Sequence, residues 1–147
     1  MMVIQNCTGT MVILLLLNNQ VILLPGYALA LLIGAITTWA ALDNDGVLGI
    51  LLTGLRYTKV YSNNGDGSFT EQINKPLPVV QTGSVSLGDY DNDGDLDILI
   101  CGPASAGAFA PSISKIYRND GNFNFAEQTS IPLFGVDGTP MWCDYDN

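Results

Sequence analysis

The sequence predicts an all-β fold assembled from repeated four-stranded units, a partial β-propeller. Three observations carry this expectation. The stretch from Trp39 to Gly54 aligns without gaps on Leu87 to Gly102, 48 residues later, with Asp43, Asn44, Asp45, Gly46, Leu48, Ile50, Leu51 and Gly54 identical in both copies. A second motif recurs with similar spacing: Lys59-Val60-Tyr61-Ser62-Asn63-Asn64-Gly65 returns as Lys115-Ile116-Tyr117-Arg118-Asn119-Asp120-Gly121, and Phe69, Glu71 and Gln72 return as Phe125, Glu127 and Gln128. Each such motif is an apolar-alternating strand, an Asn/Asp-Gly turn and a second strand, which is a strong hairpin signal. A unit of 48 to 56 residues holding about four short strands has the size of one propeller blade.

Along the chain, the N-terminal third comes first and is the least regular. No Lys, Arg, Asp or Glu precedes Asp43. Residues 1–36 read as a degenerate blade or an apolar segment. In the first reading, Cys7 to Leu16 is a decayed copy of the loop and strand, Gly9 stands for Gly46, Asn18-Asn19 is a hairpin turn, and Ile36 to Trp39 opens the next unit. In the second, Val21 to Leu42 is a membrane segment of 22 uncharged residues, long enough for a bilayer. No positive charge flanks its N-terminal side, so the orientation signal is missing, as is the basic region of a secretory signal. The degenerate blade is preferred, because Trp39 already belongs to the aligned repeat.

Residues 37–84 form the next expected blade and residues 85–139 the one after. In the latter, Val85 and Leu87 alternate with Ser84 and Ser86 as a strand. Ile98-Leu99-Ile100-Cys101-Gly102 is a short apolar run ended by glycine and Pro103, read as a buried strand. Residues 140–147 begin a truncated blade, since Trp142-Cys143-Asp144-Tyr145-Asp146-Asn147 repeats the motif 55 residues after the second copy. The chain thus holds about two and a half blades, too few for a closed propeller. It reads as a fragment or remnant of a longer repeat protein, with open edges that invite the remaining blades of a parent chain or self-association.

The segment joining the first two strands of the second unit carries the chemistry. Asp89-Tyr90-Asp91-Asn92-Asp93-Gly94-Asp95-Leu96-Asp97 places five aspartates at alternating positions around one glycine. A hard divalent cation such as calcium takes about six to eight oxygen ligands. Carboxylates two apart can converge on it if the backbone curls, and Gly94 permits the tight turn. The expected ligands are the side chains of Asp89, Asp91, Asp93 and Asp97 and the backbone carbonyl of Asp95, whose side chain points outward. The rival reading, a repelling acidic surface loop, explains the charge but neither the spacing nor the glycine. An EF-hand is excluded because Ile100 stands where it needs a bidentate Glu and strands stand where it needs helices.

The other copies are poorer. Ala41, Val47 and Gly49 replace Asp89, Asp95 and Asp97, leaving Asp43 and Asp45 as the carboxylates of a loop expected to keep its shape but bind calcium weakly or not at all. Asp144 and Asp146 are two ligands of an incomplete site.

Residues 83–103 with their repeats resemble the FG-GAP or VCBS repeat, the blade type of integrin α-subunit propellers and of many secreted bacterial proteins. The Lys-x-Tyr-x-Asn…Gly…Phe hairpin is similar to the bacterial version. The resemblance covers about Trp39 to Asn147 and is weak before that. It implies a calcium loop between the first two strands of each blade, facing solvent on one side of the disc. It further implies an extracellular or cell-surface scaffold for a protein or carbohydrate ligand, or else an accessory propeller of a secreted polysaccharide-active enzyme.

Composition narrows the function. The net charge of −9 argues against nucleic acid, which needs basic patches. All fourteen acids follow residue 42 and five lie in the aspartate loop, so the charge is largely a metal site. The chain has no histidine, which removes the commonest general base, and no enzymatic activity is expected. Cys7, Cys101 and Cys143 make no disulfide framework and read as small apolar fillers. Recurrent Tyr61, Tyr117, Phe69 and Phe125 read as packing between blades. The segment between Gly102 and Ser114, with Phe109 at its tip, reads as a tolerated insertion rather than a binding loop.

Overall fold

A computed structural model describes residues 2–5, 11–17, 20–25, 36–54, 57–104 and 110–144, with side chains described from residue 38 onward. Its strands form three antiparallel sheets in chain order. The first is three-stranded: β1 (Met2–Gln5), β2 (Met11–Leu17) and β3 (Gln20–Pro25). The second is a four-stranded meander of β4 (Ile36–Ala40), β5 (Gly49–Gly54), β6 (Tyr57–Asn63) and β7 (Phe69–Gln72). The third repeats it with β8 (Ser84–Gly88), β9 (Asp97–Pro103), β10 (Ser112–Asn119) and β11 (Phe125–Glu127).

The two four-stranded sheets share one register. Trp39 pairs with Ile50 and Ala40 with Gly49, as Leu87 pairs with Ile98 and Gly88 with Asp97. Lys59 faces Leu52 and Lys115 faces Ile100. Tyr61 faces Glu71 and Tyr117 faces Glu127. The sequence repeat is therefore a repeat of pairing, strand for strand. A cross-strand ion pair recurs as well, Lys59–Glu71 at 2.6 Å and Lys115–Glu127 at 2.7 Å. Tyr117 adds a 3.1 Å bond from its hydroxyl to Glu127, and burial first, then this carboxylate, pushes the phenol well above its usual range.

Central strands explain the apolar runs. Every residue of β5, Gly-Ile-Leu-Leu-Thr-Gly, is buried, as are Ile98, Ile100 and Cys101 of β9. A strand without polar alternation is stable only where both faces of its sheet are covered. One core cluster joins the sheets: Leu42, Leu51, Val60 and Val80 from the first unit meet Ile98, Ile100, Tyr117 and Phe125 from the second. β4 and β8, the first strands of the two units, lie against each other. Tyr61, Tyr117 and Phe125 are buried, and Phe69 meets Trp39 edge to face with centroids 6.0 Å apart; these aromatics pack the units.

The N-terminal third corrects the membrane reading in part. The described ends of the 21–42 stretch are strands, within β3 and β4. β3 hydrogen-bonds to β2 from Val12↔Pro25 to Leu17↔Gln20, which makes this end an extended strand, and a continuous helix over 21–42 does not form. Among the described residues no helix is long and apolar enough to cross a membrane. The expected turn at Asn18-Asn19, Cys7, Gly9 and the tip of the 103–114 segment lie outside the described residues. Cys101 is buried and Cys143 exposed, both as free thiols, with the Cys101 thiol donating to the Gly138 carbonyl at 3.0 Å.

Because Leu42 has no exposed surface and sits in the shared core, Leu42→Ala is expected to cost about 2–5 kcal/mol in urea unfolding. Leu48→Ala, at a side chain 48 % exposed, is expected to stay within about 0.5 kcal/mol of wild type.

Candidate metal centre

The loop between β8 and β9 curls on its own backbone. The Asp89 carboxylate accepts the Asp93 and Gly94 amides at 3.1 and 2.9 Å, and Asp93 accepts the Asp95 amide at 2.8 Å. Asn92 and Gly94 take positive φ, 59° and 94°, conformations that Asn and Gly tolerate best. This curl brings Asp89, Asp91 and Asp97 together, with one carboxylate oxygen of each within 4.8 Å of the others. Three oxygens so placed fit a hard cation. Asp93 closes the turn by its hydrogen bond, and the Asp95 side chain leaves the loop to accept a hydrogen bond from the Asn44 amide of the first unit.

Asp97 is the unusual member. It opens β9 with no exposed surface, while Asp89 and Asp91 are exposed. Its two oxygens accept the Tyr90 amide at 2.9 Å and the Asn119 amide at 2.8 Å. Burial raises its carboxyl above the ordinary 3.8, against the lowering effect of those two bonds. Asp95 is also raised, by desolvation first and then by Asp93 and Asp89. In both residues the first cause is loss of solvent around the carboxyl, which disfavours its charged form.

The depleted loop between β4 and β5 keeps the same shape. Asn44 and Gly46 have φ of 59° and 77°, and Asp45 accepts the Val47 amide at 2.7 Å, as Asp93 does that of Asp95. Asp43 is raised by partial burial and then by Asp45. At the position of Asp97 stands Gly49, where a Cβ would lie 2.6 Å from the Tyr61 carbonyl oxygen. The strands approach too closely there for a side chain. Asp144 is exposed and lines, with Gly88, Asp89, Tyr90, Asn92 and Trp142, a cleft of about 510 Å³ beside the second loop. Within it Tyr90 and Trp142 stack 5.7 Å apart. Asp146 lies outside the described residues.

One residue escaped the sequence reading. Asn119, expected only to lead into a turn, is buried. Its side-chain amide donates to the Leu42 carbonyl at 3.0 Å and the Leu96 carbonyl at 3.2 Å, and its oxygen accepts the Gly121 amide at 3.2 Å. Its counterpart Asn63 donates to the Leu48 carbonyl and accepts the Gly65 amide in the same way. The recurrence of Asn63 and Asn119 in the Tyr-x-Asn motif was the available signal.

With strands, register and loop in place, the class is that of an all-β repeat protein with an acidic loop between the first two strands of its second four-stranded unit. Residues 42–100 match the family model of the FG-GAP-like repeat, a span that takes in both loops and agrees with the resemblance that the residues carry. No curated protein and no solved structure matches the chain.

Restoring the lost carboxylate should fail. Gly49→Asp is expected to lower the thermal midpoint, with no calcium-dependent recovery in a melt compared between calcium and chelator, because the side chain meets the Tyr61 carbonyl first.

Proposed function

We propose that this chain is a calcium-binding, propeller-type repeat module that acts as a non-catalytic scaffold for a protein or carbohydrate ligand outside the cell. The observation that carries the reading is the convergence of Asp89, Asp91 and Asp97, with Asp97 buried. Asp89, Asp91, Asp93 and Asp97, with the Asp95 carbonyl, would hold the ion. Calcium would neutralise the clustered carboxylates and tie the start of β9 to the end of β8. A loop of this kind suits the extracellular calcium range of about 10⁻⁴–10⁻³ M. The non-catalytic role rests on the absence of histidine from the chain. The cleft holding Tyr90 and Trp142 beside the loop is the place such a ligand would meet, since stacked amphipathic rings offer an apolar body with polar tips.

An ion that binds the folded state alone stabilises by mass action, about 2.7 kcal/mol at a hundredfold excess over Kd. The thermal midpoint is expected to rise in millimolar calcium relative to chelator. Asp91→Asn should abolish the rise and Asp45→Ala should leave it intact. Equal midpoints for the wild type, with no calorimetric heat of calcium binding, would sink the reading.

We also propose that the face of the second unit beyond its own core takes up a second copy of the chain. Leu77 and Val80, at the end of the first unit, pack into the shared core, Val80 with 0 % exposure. Their counterparts 56 residues on, Leu133 and Val136, are 42 % and 51 % exposed. Sedimentation equilibrium should detect reversible association that Val136→Asp weakens at least about tenfold, a loss on the scale of one buried side chain. A wild-type monomer at all concentrations would refute it.

A further inference from the structure

The proposed ion loop is not self-contained. Its last two acidic residues, Asp95 and Asp97, are held by groups outside it. At the exit, the Asn119 backbone amide holds Asp97 at 2.8 Å. The side chain of the same residue grips the Leu96 carbonyl, inside the loop, and the Leu42 carbonyl, in the first unit. Asp95, whose carbonyl the ion would use, gives its carboxylate to the Asn44 amide of the first unit's own loop. Two independent hydrogen-bonded links therefore run from the cation loop to the neighbouring blade. The depleted loop has a comparable inner brace, from Asn63 to the Leu48 carbonyl at 3.2 Å, but Gly49 offers no carboxylate for the Asn63 amide to hold.

We infer that Asn119 and Asn44 are positioning residues for the ion, so that calcium affinity at the second blade depends on its docking against the first. The inference rests on the calcium reading above and deepens it. The depleted first loop then has a use without an ion: it presents Asn44 and the Leu42 carbonyl to its neighbour. Linkage is reciprocal, so an ion that prefers the braced loop also tightens the junction between blades.

Calorimetric calcium titration of the full chain tests this, alongside melts in chelator. Asn119→Ala removes the side-chain links to Leu42 and Leu96. Asn44→Gly removes the link to Asp95 while tolerating the 59° φ of that position. Each is expected to weaken calcium binding about tenfold, the usual effect of losing an outer partner of a metal ligand. Asn63→Ala removes the matching bonds in the first unit and should lower the chelator melting point while leaving calcium affinity unchanged. Asn44 lies on an exposed loop, so Asn44→Gly decides the matter if Asn119→Ala does not fold. Wild-type affinity in Asn44→Gly and in folded Asn119→Ala would overturn the inference and leave the calcium reading standing. An equal loss in Asn63→Ala would overturn it too, by making the effect one of general stability. A wild type that binds no calcium would overturn both.

Discussion

A carboxylate without solvent contact sets the terms for the second blade. Ionised, Asp97 costs on the order of several kcal/mol to desolvate, and hydrogen bonds recover only part of that. Its amide donors come from Tyr90 at the loop entrance and Asn119 at the end of β10, so one side chain ties loop, β9 and hairpin together. Asp89 and Asp91 bring further negative charge to the same point.

The depleted loop separates what shapes the backbone from what binds an ion. Its turn is built by Asn44, Asp45 and Gly46 through positive φ and one side-chain-to-amide bond, and these three residues survive in both copies. Of the three carboxylates that converge in the second loop, the counterparts of Asp89 and Asp97 are lost, as Ala41 and Gly49, while that of Asp91 is kept as Asp43. Once Asp97 is replaced by Gly49, the strands close to a distance that a Cβ would violate, and the site cannot be regained by one substitution.

Stacking of the two sheets explains the rest of the composition. Leu42, Leu51, Val60 and Val80 are buried because the second sheet covers them. Of their counterparts in the second unit, Ile116 is buried and Tyr90 and Leu99 are half-buried, while Val136 is 51 % exposed.

Much of this was legible in the chain itself. Gapless recurrence of Trp39–Gly54 at Leu87–Gly102 dictated equal strand pairing, because turn chemistry and the alternation of side chains are local. The aspartate spacing likewise dictated a curled loop that gathers carboxylates, and the loss of Asp89, Asp95 and Asp97 equivalents marked the depleted copy. Tertiary structure alone decided the remainder. It buried Asp97, left Asp89 and Asp91 exposed, turned Asp95 towards Asn44, and made Asn119 a bridge to a carbonyl 77 residues away. It also resolved the described ends of an uncharged stretch into strands, where apolar length alone permitted a helix. Burial and cross-blade hydrogen bonds depend on which surface lies opposite, and a local pattern does not carry that information.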